Sequence, residues 1–226
     1  MGIGSSQTAG CSTYGHPEFE IRTSGLPDFL LSFLVNYLEQ SVASGSRFLP
    51  GQNIQMGARV LRVAPVHDRL TLLEQVPNAP EAWDPSVSRT MLAMYRQRCA
   101  LESVGMLERL AYPAPGALAT VCRRAEHATA TVFTRYPTEE RGDSGWAVLC
   151  TDEDHDHDAE DELLVASVDT LCDRVPLFSL FLAMPAGILV VREGSKVLAL
   201  DFDRAPLLIQ RGSFLDRLRL EHGWPI

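Results

Sequence analysis

The sequence predicts an α+β protein made of two small α+β domains, the C-terminal one built on a mainly antiparallel sheet. Three observations predict it. In the N-terminal half, apolar residues recur at four-residue spacing in two stretches, which is the period of a buried helix stripe. After residue 117, short apolar runs bounded by turn residues take over, which is the pattern of strands. Between the two regimes, "AYPAPGA" at residues 111–117 carries two prolines and a glycine and breaks the helical pattern. The expected organisation is therefore a flexible N-terminus over 1–15, an N-terminal domain over 16–115 and a C-terminal domain over 116–226. A chain of 226 residues is long enough to bury a core without disulfides or structural metals.

The elements follow in order. Residues 1–15 are rich in Gly, Ser and Thr, so fraying is expected. "LPDFLLSFLVNYLEQSVASG" predicts the first helix, with Pro27 in its first turn and Gly45 at its end. Leu30, Leu34, Leu38 and Val42 form its buried stripe, with Leu31 and Val35 beside them. "ARVLRVAP" and "RLTLLEQVP" predict a hairpin turned at residues 66–68. "DPSVSRTMLAMYRQRCALESVGM" predicts a second helix capped by Ser86, with Val87, Met91, Tyr95 and Cys99 on one face. A Met and aromatic stripe of that kind reads as core, and no cofactor is expected. Beyond the linker, "ALATVCRRA", "TATVFTRYP" and "GWAVLCTDE" predict three successive strands. "AGILVVREGSKVLALDFD" predicts a hairpin turned at residues 193–195, and "GSFLDRLRLEHG" a terminal helix capped by Ser213 and stopped by Gly223. There is no internal repeat.

Composition narrows the function classes. Hydrophobic residues make up 46% and charged residues 22%, an ordinary globular balance, and the net charge is −9. That charge argues against nucleic acid as a partner, because phosphate binding needs a basic stripe. It suits a basic partner instead. Cys11, Cys99, Cys122, Cys150 and Cys172 are scattered, odd in number and without CxxC spacing, so they are expected to be reduced, idle thiols in a cytoplasmic protein. "TAGC" ends in Cys11 like a lipoprotein cleavage site but lacks the basic and apolar regions that should precede it. "MGIGSS" fits the short myristoylation pattern, which matters only in a eukaryote. No apolar run is long enough to span a membrane, so no membrane association is expected.

"RGDSGW" at residues 141–146 places a serine between Asp and Gly, as a hydrolase nucleophile would be. A serine nucleophile needs a base within hydrogen-bond reach and an oxyanion site. In chymotrypsin-like proteases a second glycine follows; here Trp146 fills that space. The G-x-S-x-G elbow fails too, because the glycines are Gly142 and Gly145. The favoured reading is a tight turn: Gly142 and Gly145 supply backbone freedom, Asp143 and Ser144 bond to local amides, and Trp146 opens a strand. No catalytic residue is expected. The alternative is a serine hydrolase using Ser144 with His127, His155 or His222.

"TDEDHDHDAEDELL" brings Asp152, Glu153, Asp154, Asp156, Asp158, Glu160, Asp161 and Glu162 together, with His155 and His157 among them. Such a run cannot enter a core, because each buried unpaired charge costs several kcal/mol. Asp152, Asp154 and Asp156 match positions 1, 3 and 5 of an EF-hand loop, but His157 stands where Gly should and Leu163 where the closing Glu should. His155 and His157 could grip a transition metal, yet no sequence-remote third ligand stands out. No metal site is expected, and a metal-binding regulatory module on residues 152–162 is kept as an alternative. The remaining readings are a solvated loop and a docking surface for a basic partner.

Taken together, "GDSGW" and its apolar strand, "TDED" with the acidic insertion, and "LLVASVDTLCDRVPLFSLFLAMPAGILVVRE" resemble the immunity protein 33 family, also called domain of unknown function 2185. In that family an Asp-Ser-Gly-Trp tetrad precedes an acidic stretch, then a small helix, an apolar Leu-x-x-Pro step and a final strand. Leu182, Ala183, Met184 and Pro185 fit the step. The resemblance runs over residues 118–193. Thr151 stands where the family often has Gly, and the acidic stretch is longer and richer in His. "HPEFE" and "GQNIQMG" in the N-terminal half look like a module that accompanies such domains. The resemblance implies a non-catalytic, cytoplasmic immunity protein that binds and neutralises a cognate toxin by occluding its active site. The two-part layout resembles the partner of a type VI secretion effector with a GHH-type nuclease, so a basic DNase domain is the expected partner. Asp143, Ser144, Asp152, Glu153, Asp154, Asp156 and Asp158 are the expected partner contacts, with Gly142, Gly145 and Trp146 as the structural motif.

Overall fold

The computed structural model describes residues 3–77, 79–152, 154–159, 161–194 and 196–221. Among them lie five α-helices and twelve strands in three sheets, a mixed α+β fold. The chain forms two compact units, Met1–Tyr95 and Arg96–Ile226. The division falls inside the second helix, ahead of the residues 111–117 expected to act as linker. No described helix is long and apolar enough to cross a membrane.

In the first unit, strand β1 (Ile3–Gln7) pairs antiparallel with β2 (Glu20–Ser24), so residues 3–7 of the stretch expected to fray are held in a ladder. The turn between them is fixed by two carboxylates. Glu18 accepts from the backbone N–H groups of Cys11 (3.3 Å) and Ser12 (2.7 Å), and Glu39 from those of Ala9 (2.7 Å) and Gly10 (3.2 Å). Burial pushes the Glu18 carboxyl up, but hydrogen bonds from Thr8, Ser12 and Cys11 outweigh it and draw it down to about 2. Helix α1 (Asp28–Ala43) buries Leu30, Leu34, Leu38 and Val42, as their spacing predicts. It starts directly after Pro27 and is followed by Gly45 at φ 96°, a conformation that favours glycine.

Strands β3 (Asn53–Met56), β4 (Arg59–Val66), β5 (Arg69–Val76) and β6 (Ala79–Asp84) form an antiparallel sheet in chain order. The expected hairpin is β4–β5, turned between Val66 and Arg69. Phe19, Ile21, Leu34, Leu38, Leu61 and Leu72 meet in the core. Helix α2 (Ser88–Ser103) begins later than its sequence suggests. Ser86 does accept from the Ser88 N–H (3.2 Å), but the stronger cap is sequence-remote: the buried Glu74 carboxylate on β5 accepts from the N–H groups of Arg89 (3.3 Å) and Thr90 (2.9 Å). Val87 and Met91 are buried as expected, whereas Tyr95 is exposed and burial passes to Gln97, Ala100 and Leu101.

The second unit is built on a six-stranded sheet ordered β10-β7-β9-β8-β11-β12. Its strands are β7 (Leu118–Cys122), β8 (Ala130–Arg135), β9 (Asp143–Cys150), β10 (Leu163–Ser167), β11 (Ile188–Glu193) and β12 (Lys196–Asp201). All pairings are antiparallel except β7 with β9. Helices α3 (Val168–Arg174) and α4 (Pro176–Phe181) supply Leu171, Phe178 and Phe181 to the core. Helix α5 (Phe214–Glu221) follows Ser213, whose hydroxyl accepts from the Asp216 N–H at 3.4 Å. Gly223, its expected stop, and Ser195 of the β11–β12 turn lie outside the described residues.

Candidate functional site

Strand β9 carries both sequence features that drew attention, one at each end. The tetrad Asp143, Ser144, Gly145 and Trp146 opens it, and the acidic run starts just after Cys150 closes it. At about 3.3 Å per residue, those ends stand roughly 23 Å apart. The structure therefore separates Asp143 and Ser144 from Asp152, Asp154, Asp156 and Asp158, which sequence reasoning had grouped as one contact surface.

The tetrad is a bulge in a parallel pairing. Leu118 faces Asp143 while Thr120 already faces Ala147, so β9 spends extra residues there. Local bonds hold the bulge. Asp143 Oδ1 accepts from the Gly145 N–H at 2.8 Å; Ser144 Oγ donates to the Leu118 carbonyl at 2.6 Å and accepts from the Trp146 N–H at 3.2 Å. Gly145 has φ 72°, and a Cβ built on it would stand 2.1 Å from the Tyr136 carbonyl oxygen. No side chain fits there. Trp146 is buried, donates from Nε1 to the Leu182 carbonyl at 3.1 Å and meets Phe178 edge-on at 5.2 Å.

Sequence reasoning missed Arg135, which ties this turn together. It is buried and donates to the Ser144 carbonyl (3.1 Å), to the Ala111 carbonyl (2.5 Å) and to the Met184 carbonyl. Burial draws its guanidinium down to about 10, which leaves it charged at neutral pH. Strand burial with an alternating pattern in "TATVFTRYP" was its one available signal, and an arginine at the end of such a run reads as solvent-facing.

This geometry corrects the placement of Ser144. Its side chain is buried and its hydroxyl is used internally, so it does not lie on a contact surface. Of the bases weighed for it, His155 sits beyond the far end of β9, and His127 lies in the β7–β8 connection at that same end. His222 lies outside the described residues.

At that far end the chain between β9 and β10 forms the acidic loop. Asp154, Asp156, Asp158 and Asp161 are exposed, and Asp152 and Glu162 half-buried; Glu153 and Glu160 lie outside the described residues. The loop is pinned on one side by Arg123, which donates from Nε to the Asp161 carbonyl (2.5 Å) and from its N–H to the Glu162 carbonyl (3.1 Å). On the other side His155 turns inward and is buried. Its Nδ1 lies 3.4 Å from Cys150 Sγ and 3.7 Å from Cys122 Sγ, and the two sulfurs are 3.7 Å apart. His157 Nε2 stands 3.5 Å from Cys150 Sγ, with its ring stacked on that of His155 at 4.5 Å. Burial pushes the Cys150 thiol up, against a lowering hydrogen bond from the Asp152 backbone. The thiols read as idle in the sequence thus include two that meet the histidines of the acidic run. Cys122 ends β7 and Cys150 ends β9, and the parallel pairing of those strands brings them together. No local spacing announces it.

Residues 96–200, a little under half of the chain, match the family model described as the Imm33-like domain. The match spans the tetrad, the acidic loop, helices α3 and α4 and most of the six-stranded sheet. No curated protein and no solved structure matches the chain significantly.

Proposed function

We propose, from the premise that residues 96–200 are an Imm33-like domain, that the protein is an immunity protein which neutralises a cognate toxin by binding over its active site. The family match carries this reading. An immunity-protein family implies a toxin partner, and the chain's surface supports one with a basic active site. The net charge is −9, and Asp154, Asp156, Asp158 and Asp161 project from one exposed loop. A toxin that cleaves DNA must present cationic groups to phosphates, so an acidic loop would be steered to it. Such protection acts in the cytoplasm of the cell that makes the toxin, and a type VI secretion effector with a nuclease domain is the proposed source.

Charge alone does not give the affinity that protection needs; apolar anchors must add to it. Directly after the acidic loop, β10 is an edge strand, and Leu163, Leu164 and Val165 on it are exposed. A loop that steers, followed by an apolar edge that anchors, is a sound arrangement for a tight inhibitor. Neither element asks for chemistry on the partner, and the buried, hydrogen-bonded Ser144 offers none.

The reading requires a toxin domain encoded beside this gene; the test is co-expression with that domain, followed by kinetics of the purified pair. Replacing Asp154, Asp156, Asp158 and Asp161 together by Asn should slow association at low salt and change dissociation less. The slowing should fade as salt rises, because the Debye length falls from about 10 Å at 0.1 M to about 3 Å at 1 M. Association at the wild-type rate at low salt would make the acidic loop a bystander. Failure of the pair to co-purify at all would sink the immunity reading.

A further inference from the structure

We propose that Cys122, Cys150, His155 and His157 form a structural zinc site that anchors the acidic loop to the C-terminal sheet. Four ligand atoms, one from each residue, lie within 4.8 Å of one another. Zinc bound to sulfur at about 2.3 Å and to nitrogen at about 2.0–2.1 Å in a tetrahedron sets its sulfurs about 3.8 Å apart and each sulfur about 3.5 Å from a nitrogen. The distances here are 3.7 Å between the sulfurs, 3.4 and 3.7 Å from them to His155 Nδ1, and 3.5 Å from Cys150 Sγ to His157 Nε2. Those four separations match a tetrahedral S2N2 centre, and all four ligand atoms lie within 4.8 Å of one another; the set selects zinc over the hard, oxygen-bound cations.

Three further features are those of a metal site. His155 presents Nδ1 to Cys150 Sγ at 3.4 Å, lies with Nδ1 and Nε2 at 3.7 and 3.9 Å from Cys122 Sγ, and holds Nε2 3.3 Å from the Glu162 carboxylate. A carboxylate on the far nitrogen fixes the tautomer that a ligating histidine needs. The backbone N–H of Arg124, two residues past Cys122, donates to its Sγ at 3.3 Å. Such a bond stabilises a thiolate rather than a thiol. Finally, Cys122, Cys150 and His155 are buried, and His157 is half-buried. Two thiolates, two neutral imidazoles and one Zn²⁺ sum to zero charge, so the occupied centre can be buried without a charge penalty. With four protein ligands the centre is closed, which makes it structural rather than catalytic.

The consequence for the fold is specific. Between Cys150 and Leu163 the chain offers almost no apolar side chain, and its like charges repel. Among the described residues, the cysteine–histidine cluster and Arg123 tie that loop to the sheet. Zinc would make the loop's conformation metal-dependent. The site does not depend on the identity of the partner.

The test uses the full chain, purified under reducing conditions with zinc present and then dialysed free of loose metal. Elemental analysis should find one zinc per chain, released by a mercurial thiol reagent. Cobalt(II) in its place should show tetrahedral ligand-field bands and thiolate-to-cobalt charge transfer. Cys122→Ser and Cys150→Ser should lose the zinc, while Cys11→Ser and Cys172→Ser keep it. If the cysteine variants do not fold, Glu162→Gln serves instead. It leaves all four ligands in place and should weaken zinc by about 10–100-fold in chelator competition. Amide exchange in residues 154–159 should be slow with zinc and fast after chelation. A zinc-free chain, an octahedral cobalt spectrum without sulfur charge transfer, a native Cys122–Cys150 disulfide, or unchanged affinity in Glu162→Gln would each overturn the proposal.

Discussion

Replacing Gly145 with alanine should be far more costly than replacing Gly142, although both lie in one turn and both have positive φ, 72° and 89°. The two substitutions share the backbone strain of a left-handed alanine, about 1–2 kcal/mol, and the same loss of freedom in the unfolded chain. They differ in space. A Cβ at Gly142 meets nothing within 4 Å, whereas one at Gly145 meets the Tyr136 carbonyl oxygen at 2.1 Å. Real Cβ contacts stop near 3.0 Å, so the β8 end must retreat by about 0.9 Å. The Tyr136 N–H donates to the Gly145 carbonyl at 2.8 Å, and that retreat stretches the bond beyond hydrogen-bond range, a loss of about 0.5–1.5 kcal/mol. Overpacking of a rigid backbone adds about 1–3 kcal/mol. Gly142→Ala should therefore destabilise by about 1–2 kcal/mol and Gly145→Ala by about 3–5. At about 2–4 °C per kcal/mol for a chain of this length, the melting points should separate by several degrees. Urea unfolding of the full-length variants, followed by circular dichroism, measures the gap. Two variants within about 0.5 kcal/mol of each other would show that the close approach at Gly145 is not what shapes the turn.

Three other outcomes can be checked in the same way. Trp146→Ala should destabilise by about 3–5 kcal/mol, because it empties a buried site against Phe178 and strands the Leu182 carbonyl; a melting curve like the wild type's would refute it. Ser144→Ala should cost about 1–3 kcal/mol by leaving the Leu118 carbonyl and Trp146 N–H without their partner, yet, on the proposed function, leave toxin protection unchanged. Lost protection in a variant that still binds toxin would point to chemistry at Ser144. The Glu18 carboxyl, held down at about 2 against an ordinary value of 4.5, contributes stability that is fully present above pH 4.5 and lost as pH falls towards 2. Glu18→Gln should thus be less stable than wild type at neutral pH and converge with it below about pH 2; a gap that stays constant from pH 7 to pH 2 would contradict this.

What the sequence disclosed was local, and what it concealed was carried by pairing across the chain. Leu30, Leu34, Leu38 and Val42 were legible as a buried stripe because four-residue spacing is a property of one helix. The tetrad's local bonds were legible, Asp143 and Ser144 each to an amide two residues on, but its place as a bulge inside β9 was not, because the Ser144 hydroxyl also donates to the Leu118 carbonyl on another strand. The cap of α2 was not, since Glu74 reaches it from another strand. Nor was the cysteine–histidine cluster. Cys122 and Cys150 are separated by a whole strand, β8, and meet only because β7 and β9 run parallel, a pairing that no hairpin signal announces. His155 and His157 were visible throughout, but inside a run of acids they read as part of a solvated face. Tyr95 failed for the opposite reason: periodicity alone placed it on the buried stripe, whereas it is exposed, with its ring against that of Phe29.

The two ends of β9 also depend on one another. Trp146, Val148 and Cys150 alternate onto one face of the strand and are buried; of the residues between them Ala147 is buried as well and Leu149 half-buried. The bulge at Ser144 and Gly145 sets the register in which that face is buried, so a slip by one residue there would turn Cys150 away from Cys122 and His155. A well-placed Cys150 in turn gives the acidic loop its fixed point. This matters for the proposed function, because ordering a loop costs about 1–2 kcal/mol per residue in backbone entropy. A loop held before encounter has met that cost on folding, and its carboxylates arrive in place. A free, self-repelling loop would meet it on binding, at the expense of affinity. On this reasoning the tetrad serves the partner surface without touching it: it sets β9, β9 places Cys150, and Cys150 with its neighbours holds the charges where a basic active site can meet them.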